Sequence, residues 1–551
     1  MSKLAARFAF FLLATLAAAQ LKIGSANTAF ADPPVPRPHG QPCVVTLYTG
    51  YKFADFSPKT FTYTPPTDCP GPWAKIILTA NFSVTAGRQF DRTANIWIGP
   101  TNIYFGTTAE PSHSVARHWH VERDLTEYSS IFTTAQTGTV DLGNLVNSTY
   151  TGILHGSASL LFFPVQPNDF PPDTADLVIP FSSGATGGTV ALFTNTDLLS
   201  QTLTLPQNIQ RAYFDVFAQS QSGDEFWYTC VPNDVANELF SCGGTAFRES
   251  EVTIDGTPAG ITPVYPWIYT GGIDPYLWRP IPGVQTMNFQ PYRVDLTPFA
   301  ALLDDGQPHT IALSVFNAGS YFSATASLLL YLDHNATQVT GAVTENTLAV
   351  PSPNIVENIH VATNGNIHGS VKTRAAHQFQ ISGYVNTSFG PVTTTLSQRI
   401  NFSNLQYFKI TSDVYVQNIN QTTTIQNVTT THNAGGTFVD SVHYSWPLRL
   451  DFLEVVNSDG SFSFATTIDQ SYEKDTSARH NGQATFFSLV TNHVTPTDTL
   501  EFDSGGNVVG NTNQSNAQTY FASDSTGYCY SRGLTAAGGV LTSVTDGQRC
   551  K

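Results

Sequence analysis

Phe90-Asp91-Arg92-Thr93-Ala94-Asn95-Ile96-Trp97-Ile98-Gly99 sets an acid and a base at the mouth of an apolar, β-type segment that ends on a glycine. The run returns in altered form at Phe247-Arg248-Glu249-Ser250, which again reaches a glycine, Gly256, in ten residues. Two more echoes follow in the same order: Asp124-Leu125-Thr126-Glu127-Tyr128 with Asp295-Leu296-Thr297-Pro298-Phe299, and Ala158-Ser159-Leu160-Leu161 with Ala326-Ser327-Leu328-Leu329. The offsets of 157, 171 and 168 residues suit two related domains in tandem. Short runs rich in Val, Ile, Thr, Phe and Tyr, such as Ala74 to Val84 and Ser323 to Asp333, recur between Gly, Pro, Asn and Asp turns. No long stretch keeps a helical period, and this is the pattern of β-sandwiches. Short helical turns are expected only at Asp124 to Tyr128 and Asp295 to Phe299, where Asp and Thr side chains can satisfy free amides. The expected fold is all-β: two tandem jelly-roll β-sandwich domains, 32–170 and 171–338, and an additional C-terminal β-rich domain, 339–551. That last region is polar, as in Tyr407 to His432, and reads as a supporting or substrate-presenting domain.

At 551 residues the chain exceeds what one hydrophobic core supports. Lys3 and Arg7 precede an apolar run from Phe8 to Ala19, and Ala29-Phe30-Ala31 offers a small-residue cleavage site, so residues 1–31 read as an export signal cut after Ala31, with a second possibility near Ala19. The run is shorter than the roughly 20 residues of a spanning helix. A secreted or periplasmic, monomeric protein without a membrane partner is expected. In that setting six cysteines favour disulfides, and they lie in sequence-local couples: Cys43 with Cys69, Cys230 with Cys242, and Cys529 with Cys550. Each bridge closes a short loop and contributes about 2–4 kcal/mol. A net charge of -16, from 25 basic against 41 acidic residues, excludes a nucleic-acid partner, whose phosphates need a basic face. Only 12% of residues are charged; stability that varies little with pH, and activity in acid, are expected of such a surface.

The chain holds no Gly-x-Ser-x-Gly elbow, His-Glu-x-x-His helix, Cys-x-x-Cys pair or phosphate-binding Gly-Lys loop, so serine-esterase, zinc, redox and nucleotide chemistry lose their signatures. His118 and His120 lack a third ligand nearby and read as a surface or hydrogen-bonded pair; no metal and no cofactor are expected. What remains is carboxylate chemistry among aromatics and arginines. Asp91, Glu249, Glu225 and Glu110 are the candidate catalytic acids, and Arg92, Arg248, Trp119, Trp227, Trp278 and Arg279 the candidate substrate-binding residues. Trp faces stack on sugar rings while Arg and Asp hydrogen-bond hydroxyls, which points to a carbohydrate substrate. The ordinary role of any one Trp is core packing, and Arg248-Glu249 reads equally as a local ion pair of little worth if exposed.

Gly87-Arg88-Gln89-Phe90-Asp91-Arg92, Thr107-Thr108-Ala109-Glu110-Pro111, Asp224-Glu225-Phe226-Trp227-Tyr228, Phe247-Arg248-Glu249 and Tyr269-Thr270-Gly271-Gly272-Ile273-Asp274-Pro275-Tyr276-Leu277-Trp278-Arg279-Pro280 together resemble the peptide N-glycanase A family of acid-tolerant peptide-N4-(N-acetyl-β-glucosaminyl)asparagine amidases. The likeness is dense from Cys43 to about Asp333. It implies cleavage of the amide between the innermost N-acetylglucosamine and asparagine of N-glycosylated peptides and glycoproteins, tolerance of core α-1,3-fucose, and no cofactor. Phe90-Asp91-Arg92-Thr93-Ala94-Asn95-Ile96-Trp97 is more distantly similar to a motif of peptide N-glycanase F, two adjoining jelly rolls with the site in the cleft between them. That similarity implies that Asp91 is the primary catalytic residue, with Arg92 beside it. The F-type glutamates do not carry over, since the matching places are around Gly244 and near Thr149 to Gly152. Glu249, Glu225 and Glu110 are the substitutes, in that order, with Arg92 or Arg248 to stabilise an oxyanion. A non-catalytic glycan-binding protein and an endo-β-N-acetylglucosaminidase are the alternatives.

Overall fold

Side chains alternate in and out along the strands, and the alternation decides which residues reach the core. In Arg117–Asp124 it turns Arg117, Trp119, Val121 and Arg123 inward and leaves His118, His120, Glu122 and Asp124 on the outer face. A computed structural model describes residues 21–167, 169–349 and 352–550; the apolar run of the expected export signal lies outside them.

The first sandwich comprises β1 (Cys43–Phe53), β2 (Lys59–Tyr63), β3 (Trp73–Val84), β4 (Thr93–Ile98), β5 (Thr101–Thr107), β6 (Arg117–Asp124), β7 (Gln136–Asp141) and β8 (Leu154–Pro164). One sheet runs β1-β8-β3-β6 and the other β2-β7-β4-β5, the strand order of a jelly roll. After β9 (Leu177–Phe181), the second sandwich comprises β10 (Val190–Leu192), β11 (Leu199–Leu203), β12 (Ile209–Gln221), β13 (Glu249–Ile254), β14 (Thr257–Pro263), β15 (Tyr292–Asp295), β16 (His309–Phe316) and β17 (Tyr321–Leu332). Its sheets run β10-β17-β12-β15 and β11-β16-β13-β14, with β9 also pairing β17. Counted from β10, this is the order of the first sandwich again.

The sequence echoes fall on equivalent places: Phe90 and Phe247 precede β4 and β13, and the Ala-Ser-Leu-Leu runs lie in β8 and β17. The expected helical turns begin slightly later, as 3-10 turns at Thr126–Thr133 and Thr297–Phe299. Asp124 and Asp295 sit just ahead of them, each accepting the N–H two residues on at 3.0 Å.

The remaining chain forms one 11-stranded antiparallel sheet, from β18 (Thr340–Asn346) and β19 (Asn354–Val361), both on β20 (Ile367–Thr387), through β21 (Gly390–Ile410), β22 (Val414–Asn433), β23 (Gly436–Val456), β24 (Phe462–His480), β25 (Gln483–Phe502) and β26 (Val508–Asp524) to β27 (Cys529–Ala537) and β28 (Val540–Asp546). One face of this meander packs on the second sandwich, where Phe402 meets Phe247 with ring centroids 5.0 Å apart and Trp446 meets Tyr265 at 5.4 Å. The disulfides are Cys43–Cys69, Cys230–Cys242 and Cys529–Cys550.

Residues 21–31 form an extended strap across these elements. Gly24 N–H donates to Leu541 O at 2.7 Å, Ala29 N–H to Pro280 O at 3.0 Å, and Ala31 N–H to the side chain of Gln518 at 2.7 Å. Ala29 and Ala31 are buried in the core shared by the second sandwich and the meander.

Candidate active site

The two jelly rolls pack along β5, where Phe105 meets Phe217 of β12 with ring centroids 5.5 Å apart, and their loops join beside it. Thr270 Oγ1 donates to Thr108 O at 2.8 Å and receives the Glu110 N–H at 3.1 Å, while Thr107 N–H donates to Thr286 O at 3.0 Å. Thr93 Oγ1 bonds Gln219 and Gln221 of β12. This seam brings Asp91, from the loop before β4, and Glu110, from the loop after β5, against Gly271 of the long loop between β14 and β15. A methyl carbon on Gly271 would lie 2.5 Å from Asp91 Oδ1 and 2.7 Å from Glu110 Oε2, so both carboxyl groups converge over one point that only a glycine leaves free. Gly271 N–H donates to Asp91, and the Asp91 N–H donates to Glu110. Glu225, after β12, is close enough to feel the Asp91 charge.

Burial raises all three carboxyl groups. Burial pushes Asp91 up to about 6, against the Gly271 N–H and Arg92 charge that favour its ionised form. Glu110 is pushed up to about 8 by burial, which the nearby Arg279 opposes and the charges of Asp91 and Asp274 reinforce. Glu225 rises to about 7 by burial and the Asp91 charge. All three keep some open surface. Near neutrality the site therefore holds one ionised carboxylate beside one protonated carboxylic acid, the separation that assigns a base and an acid.

Two guanidinium groups flank the pair. Arg92 is held through its backbone N–H on Thr108 Oγ1 at 2.8 Å and its Nη2 on Gln89 Oε1 at 2.8 Å, leaving Nε buried without a partner. Arg279 bonds Glu110 at 3.4 Å and Pro111 O at 3.0 Å and also keeps Nε unpartnered. Buried donors without acceptors are costly, and here both belong to arginines whose charge acts on a carboxyl group of the pair.

The other candidates lie away from this cluster. Glu249, first in that order, is buried and accepts from His377 of the meander at 3.1 Å. Arg248 is consumed by structure: Nε and Nη2 hold Asp224 Oδ1 at 3.0 and 2.9 Å, and Nη1 holds the carbonyls of Gly244, Thr245 and Phe247. Asp224 Oδ2 in turn receives Gly319 N–H at 2.9 Å and Ser320 N–H at 2.7 Å. The Arg248 bonds engage four of its five N–H groups, and the side chain is buried. Removing one partner of such a buried pair costs about 3–5 kcal/mol, so Arg248→Met should markedly lower the melting temperature while turnover per folded molecule persists. Trp119 stacks on Phe82 in the first core and Trp227 lies against Phe402 in the second. Trp278 is also buried, but its indole N–H donates to Gly272 O at 2.9 Å and so fixes the glycine loop from behind. His120 bonds Asn81 and Glu122.

The meander holds these loops with buried amides. Gln406 and Gln417 donate to Cys230 O at 2.8 Å and Thr229 O at 3.0 Å, and Asn516 donates to Leu277 O and Ile281 O, both at 2.7 Å. Asp274, in the glycine loop, shares a hydrogen bond with Asp498 of β25. Two carboxyl groups in such contact must hold a proton between them. Asp498 is raised to about 7 by burial and by Asp274, opposed by Thr499 N–H and Asn511; Asp274 is raised by burial, opposed by Tyr276 N–H and Arg279. Since unfolding releases these carboxyls to ordinary values, stability falls as pH climbs from about 4 to about 7. Melting temperature should be higher in weak acid than above neutrality, and Asp498→Asn should flatten that dependence.

A family model described as peptide N-acetyl-beta-D-glucosaminyl asparaginase amidase A matches residues 33–349. A curated relative from Prunus dulcis, peptide-N4-(N-acetyl-beta-glucosaminyl)asparagine amidase A, is 31% identical over 461 residues, covering 79% of this chain and 79% of the relative. The chain belongs to the peptide N-glycanase A family. Among solved structures, PNGF-II covers 53% of the chain and 66% of its own length at 12% identity and a TM-score of 0.38. Recombinant peptide:N-glycanase F covers 53% of the chain and 96% of its own length at 11% identity and 0.36. The peptide N-glycanase A match spans both jelly rolls and so includes Asp91, Glu110, Glu225 and Gly271. Of these, Gly271 escapes a search for chemically active residues. Its signal was the Gly271-Gly272 pair inside the Tyr269 to Pro280 motif, where adjacent glycines between bulky residues mark a close approach.

Proposed function

We propose that this chain hydrolyses the amide that joins the innermost N-acetylglucosamine of an N-glycan to asparagine. The convergence of Asp91 and Glu110 over Gly271 carries the reading. Ionised Asp91 takes a proton from water as the water oxygen attacks the asparagine side-chain carbonyl carbon. The resulting oxyanion is met by the positive charge of the Arg92 guanidinium, which already acts on Asp91. As the carbon–nitrogen bond breaks, protonated Glu110 delivers its proton to the departing nitrogen. The products are an aspartate-containing peptide and a glycosylamine, which loses ammonia in water. Glu225, close behind, is itself raised to about 7 by burial and by the Asp91 charge.

This division of labour sets the pH profile. kcat/KM should rise as Asp91 ionises through about 6 and fall as Glu110 loses its proton through about 8. The acid activity expected from composition is thereby narrowed to the weakly acidic and neutral range, whereas the fold itself gains stability on further acidification. A pH–rate profile flat across that span would exclude this acid–base assignment.

Glycans bearing core α-1,3-fucose are proposed as substrates, in keeping with the family likeness. One incubation of a fucosylated glycopeptide followed by mass spectrometry tests the whole reading. Asn converted to Asp with an intact released glycan supports it, a single N-acetylglucosamine left on the peptide marks an endoglycosidase, and binding without products marks a lectin.

Export is proposed as well, acting through the apolar run at the N-terminus. Cleavage after Ala31 would remove Ala29 and Ala31 from the core and leave a new ammonium on Asp32, whose carboxyl is raised to about 6 by burial next to Gln518 and Asn492. Cleavage near Ala19 keeps the strap, and N-terminal sequencing of the exported protein decides between them.

A further inference from the structure

We infer that the meander completes the substrate site, supplying an apolar pocket for a large side chain of the peptide close to the glycosylated asparagine. The inference rests on the amidase reading and extends it to the peptide. A cavity of about 580 Å³ lies between the loops of the second jelly roll and the ends of β21, β22 and β23. Its near wall is Phe226 and Ile273, and its floor includes Ile410, Tyr415, Leu450 and Phe452. Phe226 follows Glu225 directly and Ile273 stands two residues after Gly271, so the wall is tied to the carboxyl cluster by the backbone itself. Extended chain advances about 3.3 Å per residue. A peptide whose asparagine amide lies over Gly271 reaches the cavity within about two or three residues of the sugar.

The lining favours peptide over glycan. Ile410, Leu450 and Phe452 on the floor offer no hydrogen bond to a sugar hydroxyl, which would lose one on entering there, and the polar lining, Thr411, Ser412 and Asp413 among it, lies together along the chain beside them. The chemistry that suits a sugar lies on the first jelly roll instead, where Arg88 covers the Tyr150 ring at 5.4 Å and Arg92 is held beside it by Gln89 Oε1. At the mouth of the cavity Phe240 is 75% exposed and has φ of 49°, a left-handed conformation that favours smaller residues. The Cys230–Cys242 bridge closes the loop that carries it, and Tyr415 hydroxyl donates to Leu239 O beside it at 3.3 Å. An exposed aromatic held this firmly serves contact with a ligand rather than the core. Asp413 and Glu454 also line the cavity, and no Lys or Arg does, so acidic peptides are disfavoured.

Synthetic glycopeptides with one glycan and different flanking residues test this. With Leu or Phe two positions from the glycosylated asparagine, kcat/KM should exceed that of the glycine-flanked peptide by about tenfold or more, mostly through KM, as burial of one large side chain allows. Phe240→Asp, which suits the left-handed backbone and leaves the core untouched, should bring the apolar peptide down to the glycine level; Phe452→Asp should do the same from the floor. Equal efficiency for both peptides with wild-type enzyme, or a preference that survives both substitutions, overturns the pocket and leaves the amidase reading standing. If wild-type enzyme releases no glycan from either peptide, the amidase reading falls, and the pocket proposal with it.

Discussion

Asp91→Asn is expected to slow glycan release by about 10²–10⁴-fold, the usual worth of a general base, without loss of fold. Asparagine is nearly isosteric, and its Oδ1 still accepts the Gly271 N–H that Asp91 accepts. The substitution also removes a charge that burial opposes, since Asp91 is raised to about 6. At neutral pH the variant should therefore melt no lower than the wild type, and the difference between the two should shrink on acidification as wild-type Asp91 takes up its proton. Rates on a labelled glycopeptide, together with melting curves at several pH values, check both halves. Near-normal turnover by the folded variant would remove Asp91 from the reaction. A variant that melts far below the wild type at neutral pH would mean that the carboxylate is structural. Glu110→Gln separates the acid role: it should slow release most where wild-type Glu110 is protonated and abolish the alkaline limb near 8.

The architecture was legible in the sequence, and Asp91 stood out there as a candidate, because each leaves a local trace. The jelly-roll repeat shows as ordered echoes, since equivalent strands need the same alternation and the same turn residues; Ala158 to Leu161 and Ala326 to Leu329 sit in the matching strands β8 and β17. Asp91 and Arg92 stand out as adjacent charges in a chain where charges are rare. The supporting groups leave no such trace. Glu249 and Arg248 form a conspicuous pair in sequence, yet adjacent residues on a strand point to opposite faces, and each finds its own partner, His377 for one and Asp224 for the other. Glu110 is a candidate within the Thr107 to Pro111 motif, but its place beside Asp91 follows only from the seam, where Thr270 of the second jelly roll receives its N–H. Nor does composition show the sense of the pH response. Few titratable groups suggest a flat stability profile, but those buried at the junctions are pushed upward, Glu110 to about 8, Asp498 to about 7 and Asp32 to about 6. As pH falls from about 7 to about 4 these groups strengthen the fold, because the native state binds more protons there than the unfolded chain; below that range Glu122, lowered to about 2, loses its contribution.

Gly271→Ala is expected to lower glycan release by about a hundredfold or more with little change in stability, and the pairing of those two results is what distinguishes it. The new methyl would meet Asp91 Oδ1 at 2.5 Å and Glu110 Oε2 at 2.7 Å, distances no van der Waals contact permits. Both atoms are the ends of side chains, so a small rotation relieves the clash without disturbing a strand or the hydrogen bond from Trp278 to Gly272 O. Stability is therefore spared, but the rotation parts the base from the acid and occupies the point where they converge. A displacement near 1 Å in a catalytic group costs about 10²-fold, and the filled space adds to it. Thr270→Val loosens the same seam differently: it deletes the hydroxyl that bridges Glu110 N–H and Thr108 O, leaving buried groups unpaired, and should lower stability and rate together. If Gly271→Ala instead retained near-wild-type kcat, the carboxyl pair would not need its present spacing, and a mechanism in which Asp91 and Glu110 work on one amide would lose its geometric basis.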